Sequence, residues 1–157
     1  LIAAGLPGKY LIEKSIVINR PAAEVYNKVA DLNYYSQWNP WQKTDPDAKS
    51  VISGDPLRIG HKYEWNGKKV GEGSLTVRSV TPGKAINFDL QFLKPFKSQA
   101  IDAWDFTQTN EGTRAVWRNK GEFPFPIARL MGPSMTKQLN QQFEEGLQSL
   151  KEMCERY

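Results

Sequence analysis

Asp102 and Asn119 are the residues of this chain whose types and spacing first suggest chemistry. Between them lies Asn110-Glu111-Gly112, a turn signal flanked by alternating apolar residues. With Asn110-Glu111 at the centre of a hairpin, Phe106 lies opposite Ala115, Trp104 opposite Trp117, and Asp102 opposite Asn119. Period-two alternation then turns all six to one face, which sets two polar groups on an otherwise apolar surface. Two roles compete for that pair. Either they orient the polar end of a bound molecule, as sparse polar groups do in apolar pockets, or they sit at the sheet's end, solvated or bonded to each other. A one-residue slip in register would turn both outward.

Few other groups offer chemistry. His61, Tyr63 and Trp65 share one strand face. His61 is the single histidine, but no nucleophile accompanies it, so a surface or strand-end position is expected. Asp102 and Asp105 differ by an odd number, face opposite ways on a strand, and cannot form a carboxylate pair. Cys154, the lone cysteine, excludes an internal disulfide and reads as a buried or half-buried structural thiol. One His and one Cys do not build a zinc site. The chain carries no phosphate-binding glycine loop, dinucleotide fingerprint, nucleophile elbow or zinc-protease helix. No metal and no cofactor are therefore expected.

The elements that position these residues follow from local patterns. Tyr10 to Ile18 reads as a strand, Pro21 as the first position of a helix, and Val25, Tyr26 and Val29 as that helix's apolar face. Tyr34, Tyr35, Trp38 and Trp41 suggest a second short helix; they serve packing or wall a cavity, with packing favoured for the tryptophans. From about residue 48 to residue 123, recurring turn signals mark an antiparallel meander. Ile86, Phe88, Leu90 and Phe92 alternate with polar residues within it, and Gly71, Gly73 and Gly121 allow it to bend. Phe123-Pro124-Phe125-Pro126 ends the sheet, and a helical piece at 127–131 should bend or restart at Gly132-Pro133. A long helix then runs to the C-terminus, burying Met135, Leu139, Phe143, Leu147 and Leu150. The class is α+β.

Bulk properties bound the rest. At 157 residues, with 39% apolar and 24% charged residues, the chain suits one domain. Residues 1–8 read as a leader, either the stump of a removed hydrophobic segment or a short tail unrelated to one, and residues 9–157 as the domain. Formal net charge is +4, yet the basic residues are scattered and only Lys68-Lys69 adjoin. A nucleic-acid binder concentrates them, so no nucleic-acid partner is expected; a weak attraction to anionic membranes stays open. No stretch approaches the length of a transmembrane helix.

A curved sheet that one helix only partly covers leaves an internal cavity. The order of elements resembles the START and birch-pollen-allergen superfamily, also called SRPBCC, and its polyketide cyclase-like branch. The resemblance rests on Ile16 to Tyr26, on Tyr35-Ser36-Gln37-Trp38-Asn39-Pro40-Trp41, on Gly71-Glu72-Gly73, on Val80 to Lys84, and on Gly112-Thr113-Arg114 before Trp117. It implies a helix-grip fold: a curved seven-stranded antiparallel sheet around the C-terminal helix, with two short helices after the first strand. It further implies a small apolar ligand, lipid-like or polyketide-like, carried or sensed in the cavity. A cyclase or aromatase is the alternative, using Asp102, His61 or a tyrosine as acid or base, and a co-chaperone-like protein-binding domain is another. Tyr63, Trp65, Phe88, Leu90, Asp102 and Trp104 are candidate ligand-binding residues from the sheet, with Trp117 and Asn119. Met131, Met135 and Leu139 are the candidates from the helix.

Overall fold

Alternating apolar residues draw Lys9–Ile18 into the first strand, β1, with Ile12 and Ile18 on its buried face. The computed structural model describes residues 9–122 and 127–156, with side chains except at 127–133 and 135. Residues 1–8, 123–126 and 157 lie outside the described residues. Helix α1, Ala22–Ala30, follows β1 and buries Val25, Tyr26 and Val29. Pro21 stands one position earlier than expected: it is the extended residue just before the helix, and its carbonyl accepts the Glu24 and Val25 amides. A 3₁₀ turn, Leu32–Tyr34, leads into the single-turn helix α2, Tyr35–Trp38.

Six further strands complete the meander: β2 Lys49–Ser53, β3 Lys62–Gly67, β4 Gly71–Thr81, β5 Ala85–Lys94, β6 Ser98–Thr109 and β7 Gly112–Glu122. They form one seven-stranded antiparallel sheet in the order β1-β7-β6-β5-β4-β3-β2. The β6–β7 register is the one the turn at Asn110-Glu111 predicts, with Trp104 against Trp117 and Asp102 against Asn119. Pairing between β4 and β5 slips at Glu72/Gly73 and at Val77/Ser79. Such bulges bend a strand and increase its twist. Gly73 is needed at the first of them, because a Cβ there would sit 2.4 Å from the Trp65 ring.

Helix α3, Ile127–Glu155, packs on β1, α1 and α2. It runs through Gly132-Pro133, where a bend or restart was expected. A proline deletes one amide donor from a helix, and the stripe of Phe143, Leu147 and Leu150 that follows is buried against the sheet and outweighs that loss. The core is strongly aromatic. The Trp117 ring lies parallel to Phe143 at 3.9 Å and to Trp104 at 4.7 Å, and Trp38 meets both tryptophans edge-on.

A cavity with one polar end

Between the concave sheet and α3 lies a cavity of about 440 Å³, within the size range of small-molecule sites. Its wall surface is mainly apolar, with the rings of Trp41, Tyr63, Trp65, Phe92, Phe96 and Phe143 prominent in it, and Gln42, Gln138 and Gln142 border it as well. Of the sequence-derived candidates, Tyr63, Trp65, Leu90, Asp102, Asn119 and Leu139 border it. Phe88, Trp104 and Trp117 also face the concave side but are buried in the core and do not border the cavity; Trp38 of α2 packs on both tryptophans and Phe143 of α3 on Trp117. Phe88 and Trp104 edge only a recess too small for a water molecule. The Met131 and Met135 side chains lie outside the described residues.

The polar end is built from three strands and a helix. Trp117 donates its indole N–H to Asp102 Oδ1 across the β6–β7 pair. Tyr10, on β1, donates its hydroxyl to Asn119 Oδ1 at 2.6 Å. Gly121 opposite Tyr10 makes this reach feasible, since a Cβ there would lie 2.9 Å from the phenol oxygen. Tyr35 of α2 closes the cluster and packs edge-on against Tyr63.

Burial governs the electrostatics here. Asp102 is 5% exposed, and its carboxyl is pushed up to about 8 by loss of water, with the Trp117 N–H offsetting part of the rise. Near neutral pH it is therefore mainly uncharged. Burial also raises the phenols of Tyr10 and Tyr35, and the nearby Asp102 charge adds to both effects. So the cavity ends in a protonated carboxyl, an amide and phenols that stay protonated.

His61 takes no part in this cluster. It is fully buried rather than at the surface, immediately before β3. Its Nε2 accepts the Leu32 amide at 2.9 Å, and its Nδ1 lies 3.0 Å from the Ser53 carbonyl, to which it donates. These bonds tie the 3₁₀ turn to the end of β2. Cys154 is buried on α3, and burial raises its thiol to about 11, which suits a structural role.

Sequence reasoning passed over Tyr10 and Phe92. Tyr10 shares the even-numbered face of Ile12 and Ile18, so its inward direction was legible in the alternation; its partner on β7 was not. Phe92 was likewise available from its parity with Leu90.

A family model described as polyketide cyclase / dehydrase and lipid transport matches residues 10–155. No curated protein matches the chain. Solved structures share the fold at low identity. A protein from Chromobacterium violaceum is 16% identical, with a TM-score of 0.68 over 92% of this chain and 96% of that one. A protein of unknown function from Staphylococcus aureus is 12% identical, with a TM-score of 0.71 over 94% of each chain. The di-domain ARO/CYC protein StfQ of the steffimycin biosynthetic pathway is 15% identical, with a TM-score of 0.69 over 96% of this chain and 52% of that one.

Proposed function

The chain belongs to the polyketide cyclase / dehydrase and lipid transport family, and from that premise we propose that it binds a small apolar molecule in its internal cavity, as a carrier or sensor. The observation that carries this proposal is the aromatic-walled cavity of about 440 Å³ closed at its inner end by Asp102 and Asn119. Apolar walls supply affinity in proportion to the surface removed from water. The polar end supplies orientation, because a neutral carboxyl donates a hydrogen bond to an acceptor such as a ketone or ester carbonyl. A carboxylate ligand gains less there than a neutral acceptor, since among the described residues no cation sits beside Asp102 and Asn119 to pair with it.

Native mass spectrometry of protein purified gently from its host, followed by solvent extraction, tests this directly. A stoichiometric apolar adduct supports the carrier or sensor role and gives its ligand class. An empty protein that also takes up no apolar probe on challenge sinks it.

One observation favours a second reading, an enzyme that moves protons on such a ligand. Asp102 and the phenols of Tyr10 and Tyr35 converge on one end of the cavity, as acid–base sites require. Incubating a ketone probe with the protein in heavy water separates the two readings. Deuterium gained next to the carbonyl, and lost with Asp102→Ala, supports catalysis; unchanged mass supports binding alone.

A further inference from the structure

Lys68 and Lys69 lie in the turn joining β3 to β4, while Lys94 and Lys97 flank the turn joining β5 to β6. Far apart in sequence, these two turns adjoin in the fold. Glu72 of β4 pairs with Lys94 of β5, and a Cβ on Gly71 would lie 2.1 Å from the Lys94 carbonyl oxygen. All four lysines are exposed. Lys9, opening β1, and Lys120, near the close of β7, project from the same end of the sheet.

Acidic residues at this end offset the charge only in part. Glu72 lies 3.8 Å from the Lys94 ammonium. Asp45 is buried, and its carboxylate accepts the Lys69 and Val70 amides. Glu122 borders the cavity mouth. The scattered lysines of the sequence thus become a positive rim in the fold. Apolar groups sit among them: Leu93 is 46% exposed, Pro95 is exposed, and Phe96 is half-buried. Val70, Lys69, Lys94, Pro95 and Phe96 also border the cavity, so the two turns form its lip.

We propose that this lip docks on anionic lipid bilayers, its lysines against the headgroups and Leu93, Pro95 and Phe96 toward the acyl boundary. Each lysine near an anionic leaflet strengthens partitioning roughly fivefold. The apolar tip adds burial that a purely ionic surface would lack. An acidic protein would match the lysines, but a bilayer also matches the apolar tip and the adjoining cavity mouth. An apolar molecule could then pass between membrane and cavity without crossing water.

Co-sedimentation of the ligand-free full chain with vesicles tests the proposal, comparing phosphatidylcholine alone with phosphatidylcholine plus phosphatidylserine. The variant K68A/K97A removes two charges that do not border the cavity. Expected are binding to the phosphatidylserine vesicles only, weakening with salt, and at least a roughly tenfold loss in the variant. No binding to anionic vesicles at low salt would overturn it, as would binding that a natively folded K68A/K97A retains in full. Binding to poly-glutamate without vesicle binding would reassign the lip to an acidic protein. The readout needs no cavity ligand, so failure here leaves the proposed cavity function standing.

Discussion

Asp102 and Asn119 stand directly opposite each other on β6 and β7, and each is bonded to a third residue rather than to its neighbour. Trp117 holds Asp102 Oδ1, and Tyr10 holds Asn119 Oδ1. With Oδ1 engaged as an acceptor, the proton of neutral Asp102 belongs on Oδ2. The pair is thus a fixed donor and amide at the cavity's inner end.

Asp102 should make stability fall with rising pH. Its folded value is raised to about 8 from an ordinary 3.8, so the native state holds this proton more tightly than the unfolded chain. The stabilisation is full below about pH 4 and is lost as pH rises to about 8, a change of several kcal/mol at most. Asp102→Asn keeps the shape and removes the ionisation. Its melting temperature should exceed the wild type's above about pH 8, with the gap closing toward pH 4; parallel melting curves across pH would contradict the assignment.

The same carboxyl should discriminate among ligands. Tryptophan quenching can compare 2-acetonaphthone with 2-ethylnaphthalene, which differ little in shape but differ in carrying a carbonyl. Wild type should favour the ketone by about tenfold, the worth of one hydrogen bond to a buried donor. The preference should vanish above about pH 9, where Asp102 is ionised, and in Asp102→Ala. Asp102→Asn, still a donor, should retain most of it.

Occupying the cavity should block it. Leu139 borders the space from α3 and is only half-buried, so Leu139→Trp can extend into it with little strain. Affinity for either naphthalene probe should fall at least about tenfold while the far-UV spectrum stays native. Undiminished binding would place the probes elsewhere.

Gly73 should resist any side chain. A Cβ there meets both the Trp65 ring and the Gln91 carbonyl at 2.4 Å. Gly73→Ala should cost about 1–3 kcal/mol by overpacking and displace Trp65 from the cavity wall, measured as a lower denaturation midpoint and altered tryptophan emission.

His61 should prove structural. His61→Ala leaves the Leu32 amide and the Ser53 carbonyl without their partners, at about 2–4 kcal/mol. Chemical denaturation reads that loss; probe affinity in the folded variant should be unchanged.

The sequence by itself determined what depends on neighbours along the chain. Period-two alternation and one turn set the β6–β7 register and turned Asp102, Trp104, Asn119 and Trp117 inward. Apolar spacing marked the closing helix, and resemblance supplied the helix-grip architecture. Only the tertiary structure decided which inward residues border empty space. Trp104 and Trp117 look identical in pattern to Asp102 and Asn119, but Trp38 from α2 and Phe143 from α3 cover them. Long-range pairing also brought Tyr10 to Asn119, buried His61 beneath the 3₁₀ turn, and gathered Lys68, Lys69, Lys94 and Lys97 at one lip. Alternation reports the face a side chain takes; what covers that face, and which distant turn adjoins it, is set by strands and helices that local sequence does not see.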